Sequence, residues 1–96
     1  MSENVVAVAV AQFAPAASRA ANLEAIAELT ARAASRGARI VLFPEYSSYF
    51  IDPFDESLAA SAEPLDGAFT RALTELAADH GVTIAAGLLE TGSDDP

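Results

Sequence analysis

Glu45 is the side chain with the most chemistry open to it. It directly follows Ile40-Val41-Leu42-Phe43-Pro44, an apolar run of the kind a buried parallel strand shows. Pro44 has no N–H to give to a ladder and holds Phe43 extended, so a strand must stop there. Glu45 then lies just past the C-terminal end of a strand, the edge at which open α/β sheets place their ligands. A carboxylate at that edge can act as a general base, a metal ligand or an ordinary loop acid. Tyr46, Tyr49, Phe50 and Phe54 follow within nine residues and make up four of the seven aromatic residues. They read as a pocket wall or a subunit contact, or equally as a small satellite core under a long loop.

The remaining polar groups are less promising. Asp52, Asp55 and Glu56 could join Glu45 around a cation, yet two of them suit helix N-terminal positions, where the dipole stabilises acids. No metal is therefore expected. His80, the single histidine, falls in a last helical turn, where capping is the simpler role. Ser47 and Ser48 lack the Gly-x-Ser-x-Gly context of a nucleophile elbow. Glu90 ends a strand and reads as a solvated or structural acid. The 96 residues contain neither Cys nor Lys. A disulfide and a Cys-ligated metal site are thereby excluded within them.

The elements that must position Glu45 follow from periodicity and punctuation. Residues 5–11 alternate Val and Ala, with Val6, Val8 and Val10 on one side and Ala7, Ala9 and Ala11 on the other. Both faces are apolar, so this strand is expected to be covered on both. Ser18 is the expected N-cap of a helix reaching to about Arg36, with Leu23, Ile26, Ala27, Thr30 and Ala34 at helical spacing. Glu28 precedes Arg32 by four, and Gly37 can take the left-handed cap. Residues 39–43 form the second strand. Asp52-Pro53 reads as an N-cap followed by proline in the first turn, predicting a short helix over 54–60. Asp66 is the expected cap of the next helix, with Phe69, Leu73, Leu76 and His80 on one face and Gly81 as its stop. Residues 82–89 form a third strand interrupted by Gly87, and 90–96 are polar and turn-rich.

The predicted order is β-α-β-α-β, an α/β unit with a parallel sheet and right-handed crossovers. Two such crossovers put both helices on one sheet face when the strand order runs in one direction. The other apolar face is then left without a cover, so residues 1–96 are expected to be the first, incomplete part of one larger domain. No repeat or internal boundary interrupts them.

Composition narrows the class. A hydrophobic fraction of 52% with 20% charged residues belongs to a globular chain. The net charge of −9 disfavours nucleic acid, whose phosphates need clustered Lys or Arg, and anionic membrane surfaces. Residues 5–11 are too short to span a bilayer. Glu3 stands where a signal peptide would be basic, so a cytoplasmic location is expected.

Taken together, these segments resemble the carbon–nitrogen hydrolase (nitrilase) superfamily. Val8-Ala9-Val10-Ala11-Gln12-Phe13 looks like its opening strand, and Asn22-Leu23-Glu24 falls where its first helix carries Asn. Gly37-Ala38-Arg39-Ile40-Val41-Leu42-Phe43-Pro44-Glu45 is similar to the segment bearing its catalytic glutamate. Leu65-Asp66-Gly67, Ala77-Ala78-Asp79-His80-Gly81-Val82 and Gly87-Leu88-Leu89-Glu90 look like its next helix and strand. The resemblance implies a four-layer α-β-β-α sandwich and a Glu-Lys-Cys triad hydrolysing a non-peptide C–N bond in a small amide, carbamoyl compound or nitrile. It implies no cofactor, and a homo-oligomer in the full-length form. Only the glutamate carries over, onto Glu45, with Tyr46, Tyr49 and Phe50 as candidate substrate contacts. The fragment alone is expected to be inactive. Two rivals stand beside this reading: part of a metal-dependent phosphodiesterase of the DNase I-like kind, and a non-enzymatic half-domain that binds a partner.

Overall fold

Val8, Ala9 and Val10 pair in parallel with Ile40, Val41 and Leu42, which pair in parallel with Thr83, Ile84 and Ala85. These contacts come from a computed structural model that describes residues 5–91. The elements are β1 (Val8–Val10), α1 (Arg19–Ser35), β2 (Ile40–Leu42), α2 (Glu56–Ala60), α3 (Ala68–His80) and β3 (Thr83–Ala85), with sheet order β1-β2-β3. The expected β-α-β-α-β order holds, with α2 as the short extra helix. Residues 1–4 and 92–96, including most of the polar 90–96 segment, lie outside the described residues.

Register decides which face each strand residue occupies, because side chains alternate and partners in a parallel ladder share a side. Ala9, Val41 and Ile84 share one face; Val8, Val10, Ile40, Leu42, Thr83 and Ala85 share the other. Val41 is fully buried, whereas Val8 and Val10 are 52% and 69% exposed. The helices α1 and α3, which pack on each other, therefore cover the Val41 face. Among the described residues the valine face is uncovered, as expected of a sheet face that these residues leave without a cover; the cover expected on both faces of β1 is seen on one. What is seen is a two-layer α/β unit.

The strands are shorter than the apolar runs because neighbouring loops capture their ends. Ladder-like bonds continue for a residue, from Ala11 N–H to Leu42 O and from Phe43 N–H to Ala85 O, both 2.8 Å. Beyond Ala85, however, the 82–89 run leaves the sheet. Gly87 N–H donates to Pro44 O, and Glu63 N–H donates to Leu89 O, so this backbone serves the loops after β2 and α2.

Helix starts show both success and correction. Ser18 caps α1 as expected, its hydroxyl accepting from Ala21 N–H at 3.2 Å. The inward stripe of α1 is Asn22, Ile26 and Thr30, while Leu23, Ala27 and Ala34 are only half-buried. The α2 cap is Asp55, not Asp52, and its carboxylate accepts from Ser57 N–H at 2.8 Å. Asp66 does not cap α3. Gly67 holds the cap position, and the carboxylate that receives Phe69 N–H, at 2.8 Å, belongs to Glu63. A turn closed by Gly67 N–H to Pro64 O folds Glu63 back over the helix start. A Cβ on Gly67 would lie 2.6 Å from the Glu63 Oε1. On α3, Phe69 is buried, Leu73 and Leu76 are half-buried and His80 is exposed, so His80 does not extend the core face.

Glu63 is 6% exposed, and its second oxygen accepts from Arg19 Nη1 at 3.0 Å. One carboxylate thus ties the first turn of α1 to the first turn of α3. Glu63→Ala removes a helix cap and the anionic partner of Arg19, and is expected to cost about 2 kcal/mol. Glu63→Gln keeps an acceptor for Phe69 N–H and is expected to cost about half as much, because Arg19 stays partly solvated. Urea unfolding of both variants checks this: equal losses would show that the cap is not what Glu63 contributes.

Candidate active site

Glu45 lies in the turn after Phe43-Pro44, at the C-terminal edge of the sheet, with its side chain exposed. The loops following all three strands meet at this edge. Asn22, on the first turns of α1, joins two of them. Its Oδ1 accepts from Ala16 N–H at 2.8 Å, and its Nδ2 donates to Ala16 O at 2.9 Å and to Ser48 O at 3.1 Å. Ser48 joins the third. Its N–H donates to Gly87 O at 3.2 Å, and its hydroxyl accepts from Leu89 N–H at 3.2 Å. The Ser47 hydroxyl donates to Pro44 O at 2.5 Å. Both serines are buried and fully engaged in these contacts, which leaves them structural, as their lack of an elbow motif indicates.

Pro15, Pro44, Glu45, Tyr46 and Phe50 line an open concavity of about 240 Å³. Tyr46, Phe50 and Phe54 form a mutual cluster, with ring centroids 5.6, 5.7 and 5.8 Å apart. The structure therefore brings Tyr46 and Phe50 to Glu45. Tyr49 does not line this concavity: its hydroxyl donates to Ser57 Oγ at 2.9 Å and ties the loop to α2. A small molecule here would meet an apolar, aromatic wall with one carboxylate at its side.

The other acids are placed elsewhere. Ser57, through its hydroxyl and then its backbone N–H, holds the Asp55 carboxyl below the usual carboxylate range. That cap is therefore complete above the ordinary Asp range and weakens only as pH falls through the lowered value. Asp52 and Glu56 are exposed, and Glu90 meets Glu63 through a parallel backbone bridge. Among the described residues no three acidic or histidine side chains gather closely enough to hold a metal ion. Nor is any helix among them long and apolar enough to cross a membrane.

Sequence reasoning noted Asn22, Ser48 and Gly87 but gave none of them a place at this site. One signal was available: Asn22, Ile26 and Thr30 recur at a spacing of four, which aims a polar amide along the buried face. That it would meet Ser48, 26 residues away, no local pattern could say.

Residues 7–96 match the family model of the carbon–nitrogen hydrolases, and the chain belongs to that family. It is also similar to two proteins of Mycobacterium tuberculosis, Hydrolase Rv0480c of strain H37Rv and Hydrolase MT0498 of strain CDC 1551. Each is 31% identical over 87 residues, a stretch covering 91% of this chain and 30% of the relative. The chain thus spans about a third of the length of the curated relatives it matches.

Proposed function

We propose that this chain supplies the N-terminal part of a C–N bond hydrolase, and that Glu45 is its general base. The observation that carries the reading is the position of Glu45 at the C-terminal sheet edge, beside an aromatic concavity, within a segment that matches the family. In the proposed reaction a Cys thiol attacks the carbon of a small amide and yields a thioester with loss of ammonia. Glu45 takes the thiol proton and later activates the water that releases the acid. A Lys stabilises the oxyanion. Neither Cys nor Lys occurs among these 96 residues, so they have to come from outside them. The uncovered valine face supports a second sheet in the complete domain, giving the four-layer sandwich.

The test is made on the complete protein. It is expected to release ammonia from short aliphatic amides in the presence of EDTA, and to lose that activity on alkylation by iodoacetamide. Metal-dependent cleavage of bis(p-nitrophenyl) phosphate without ammonia release would overturn the reading in favour of a phosphodiesterase.

A further inference from the structure

We propose that Gly87 and Ser48 are positioning residues for Glu45, holding it by its main chain so that its carboxylate stays free to receive a proton. The proposal rests on the reading of Glu45 as the base. Its starting point is a close approach: a Cβ built on Gly87 would fall 1.3 Å from the Glu45 carbonyl oxygen and 2.8 Å from its Cα. No side chain fits there, so the backbone of 87 lies directly against that of 45. Hydrogen bonds lock this contact from both sides. Gly87 N–H donates to Pro44 O at 3.2 Å, immediately before Glu45, and Gly87 O accepts from Ser48 N–H at 3.2 Å, three residues after it. The Ser48 hydroxyl then takes Leu89 N–H, and Asn22 holds the Ser48 carbonyl from beneath. The turn carrying Glu45 is thereby stapled to the segment that follows β3.

A general base must lie within hydrogen-bond reach of the proton it takes, and a displacement of about 1 Å can cost on the order of a hundredfold in rate. Most ways of fixing a carboxylate give it a donor, which then competes for the oxygen that must take the proton. Among the described residues no donor engages the Glu45 carboxylate, while the main chain is bonded to Gly87 just before it, at Pro44, and just after it, at Ser48. Backbone stapling fixes the turn that carries the base without engaging its carboxylate.

A double-mutant cycle in the complete hydrolase, read as ammonia release from butyramide, tests this. Gly87→Ala is expected to lower kcat about 10- to 100-fold with KM within about twofold. In a Glu45→Gln background the same substitution is expected to change kcat by less than about twofold, because its effect passes through a group already removed. If Gly87→Ala lacks a cooperative thermal transition, Ser48→Ala takes its place in the cycle, with an expected loss of about 3- to 10-fold that again vanishes in the Gln background. A folded variant with undiminished kcat, or an equal loss in both backgrounds, overturns the positioning role. A Glu45→Gln enzyme with ordinary turnover overturns instead the base reading on which the role depends.

Discussion

On the proposed reading of Glu45 as the base, Glu45→Gln in the complete protein is expected to lower turnover by about 10²- to 10⁴-fold, the usual contribution of a positioned general base, while the fold persists. The two halves of this expectation have separate grounds. The Glu45 carboxylate takes part in no hydrogen bond or ion pair among the described residues, so an isosteric change removes no stabilising contact seen there. The amide, however, could not accept the proton of the proposed thiol. Glu45→Asp keeps the chemistry and withdraws the carboxylate by one methylene, so an intermediate loss of about 10- to 100-fold is expected. Steady-state kinetics on one amide, with circular dichroism to monitor the fold, measure both variants. Turnover near the parent's in the Gln variant would show that some other group takes the proton. A larger loss for Asp than for Gln would show that shape, not basicity, is what position 45 supplies.

The parts of this fold that were legible are those decided within a few residues. Ser18, Gly37 and Gly81 mark helix ends because a hydroxyl cap and a left-handed cap are local devices; Gly37 and Gly81 take φ of 92° and 64°. The end of β2 follows from Pro44, which cannot donate to a ladder. Glu45 was readable for the same reason, since strand, proline and acid are consecutive. The caps of α2 and α3 were misread because several acids compete within a few residues. Which one catches the free N–H depends on how the chain enters the helix. For α3 the winner, Glu63, arrives through a turn and is secured by Arg19, 44 residues away.

The loop cluster around Glu45 was illegible for a related reason. Gly87 could be recognised as an interruption of a strand, but that it interrupts in order to touch Glu45 is a fact of tertiary approach. Asn22, Ser48 and Gly87 lie on three different segments, and each hydrogen bond between them joins residues distant in sequence. Tyr46 and Phe50 reached the concavity while Tyr49 turned to Ser57. Tyr46, Phe50 and Phe54 cluster while Tyr49 is turned away, and no local pattern says which of the four it would be. The Val/Ala alternation of β1 likewise promised two apolar faces without showing which one the helices take.

That last ambiguity has the largest physical consequence after Glu45. The helices cover the small residue, Ala9, and leave Val6, Val8 and Val10 exposed at 57%, 52% and 69%, beside Leu42 at 37%. Against this, the buried apolar residues among those described are Ile26, Ala38, Val41 and Phe69 alone. Soluble monomers rarely leave contiguous apolar patches larger than a few hundred Å² bare, and a face of this kind is a candidate for a cover. At about 25 cal/mol per Å², covering 400 Å² is worth roughly 10 kcal/mol, an upper figure that is comparable with the whole stability of a domain. The 96-residue polypeptide, expressed by itself, is therefore expected to self-associate and to bind an apolar dye. Val8→Asp with Val10→Asp is expected to act in opposite directions in two settings. In the isolated polypeptide the charges meet water and raise the monomer fraction. In the complete hydrolase, where a second sheet is proposed to lie against this face, they would be buried unpaired and prevent folding. Sedimentation of both forms, with and without the substitutions, separates the cases. A parent polypeptide that is a monodisperse monomer with a cooperative thermal transition and no dye binding would show that the valine face needs no cover, and a complete hydrolase that tolerates both aspartates would show that none is there.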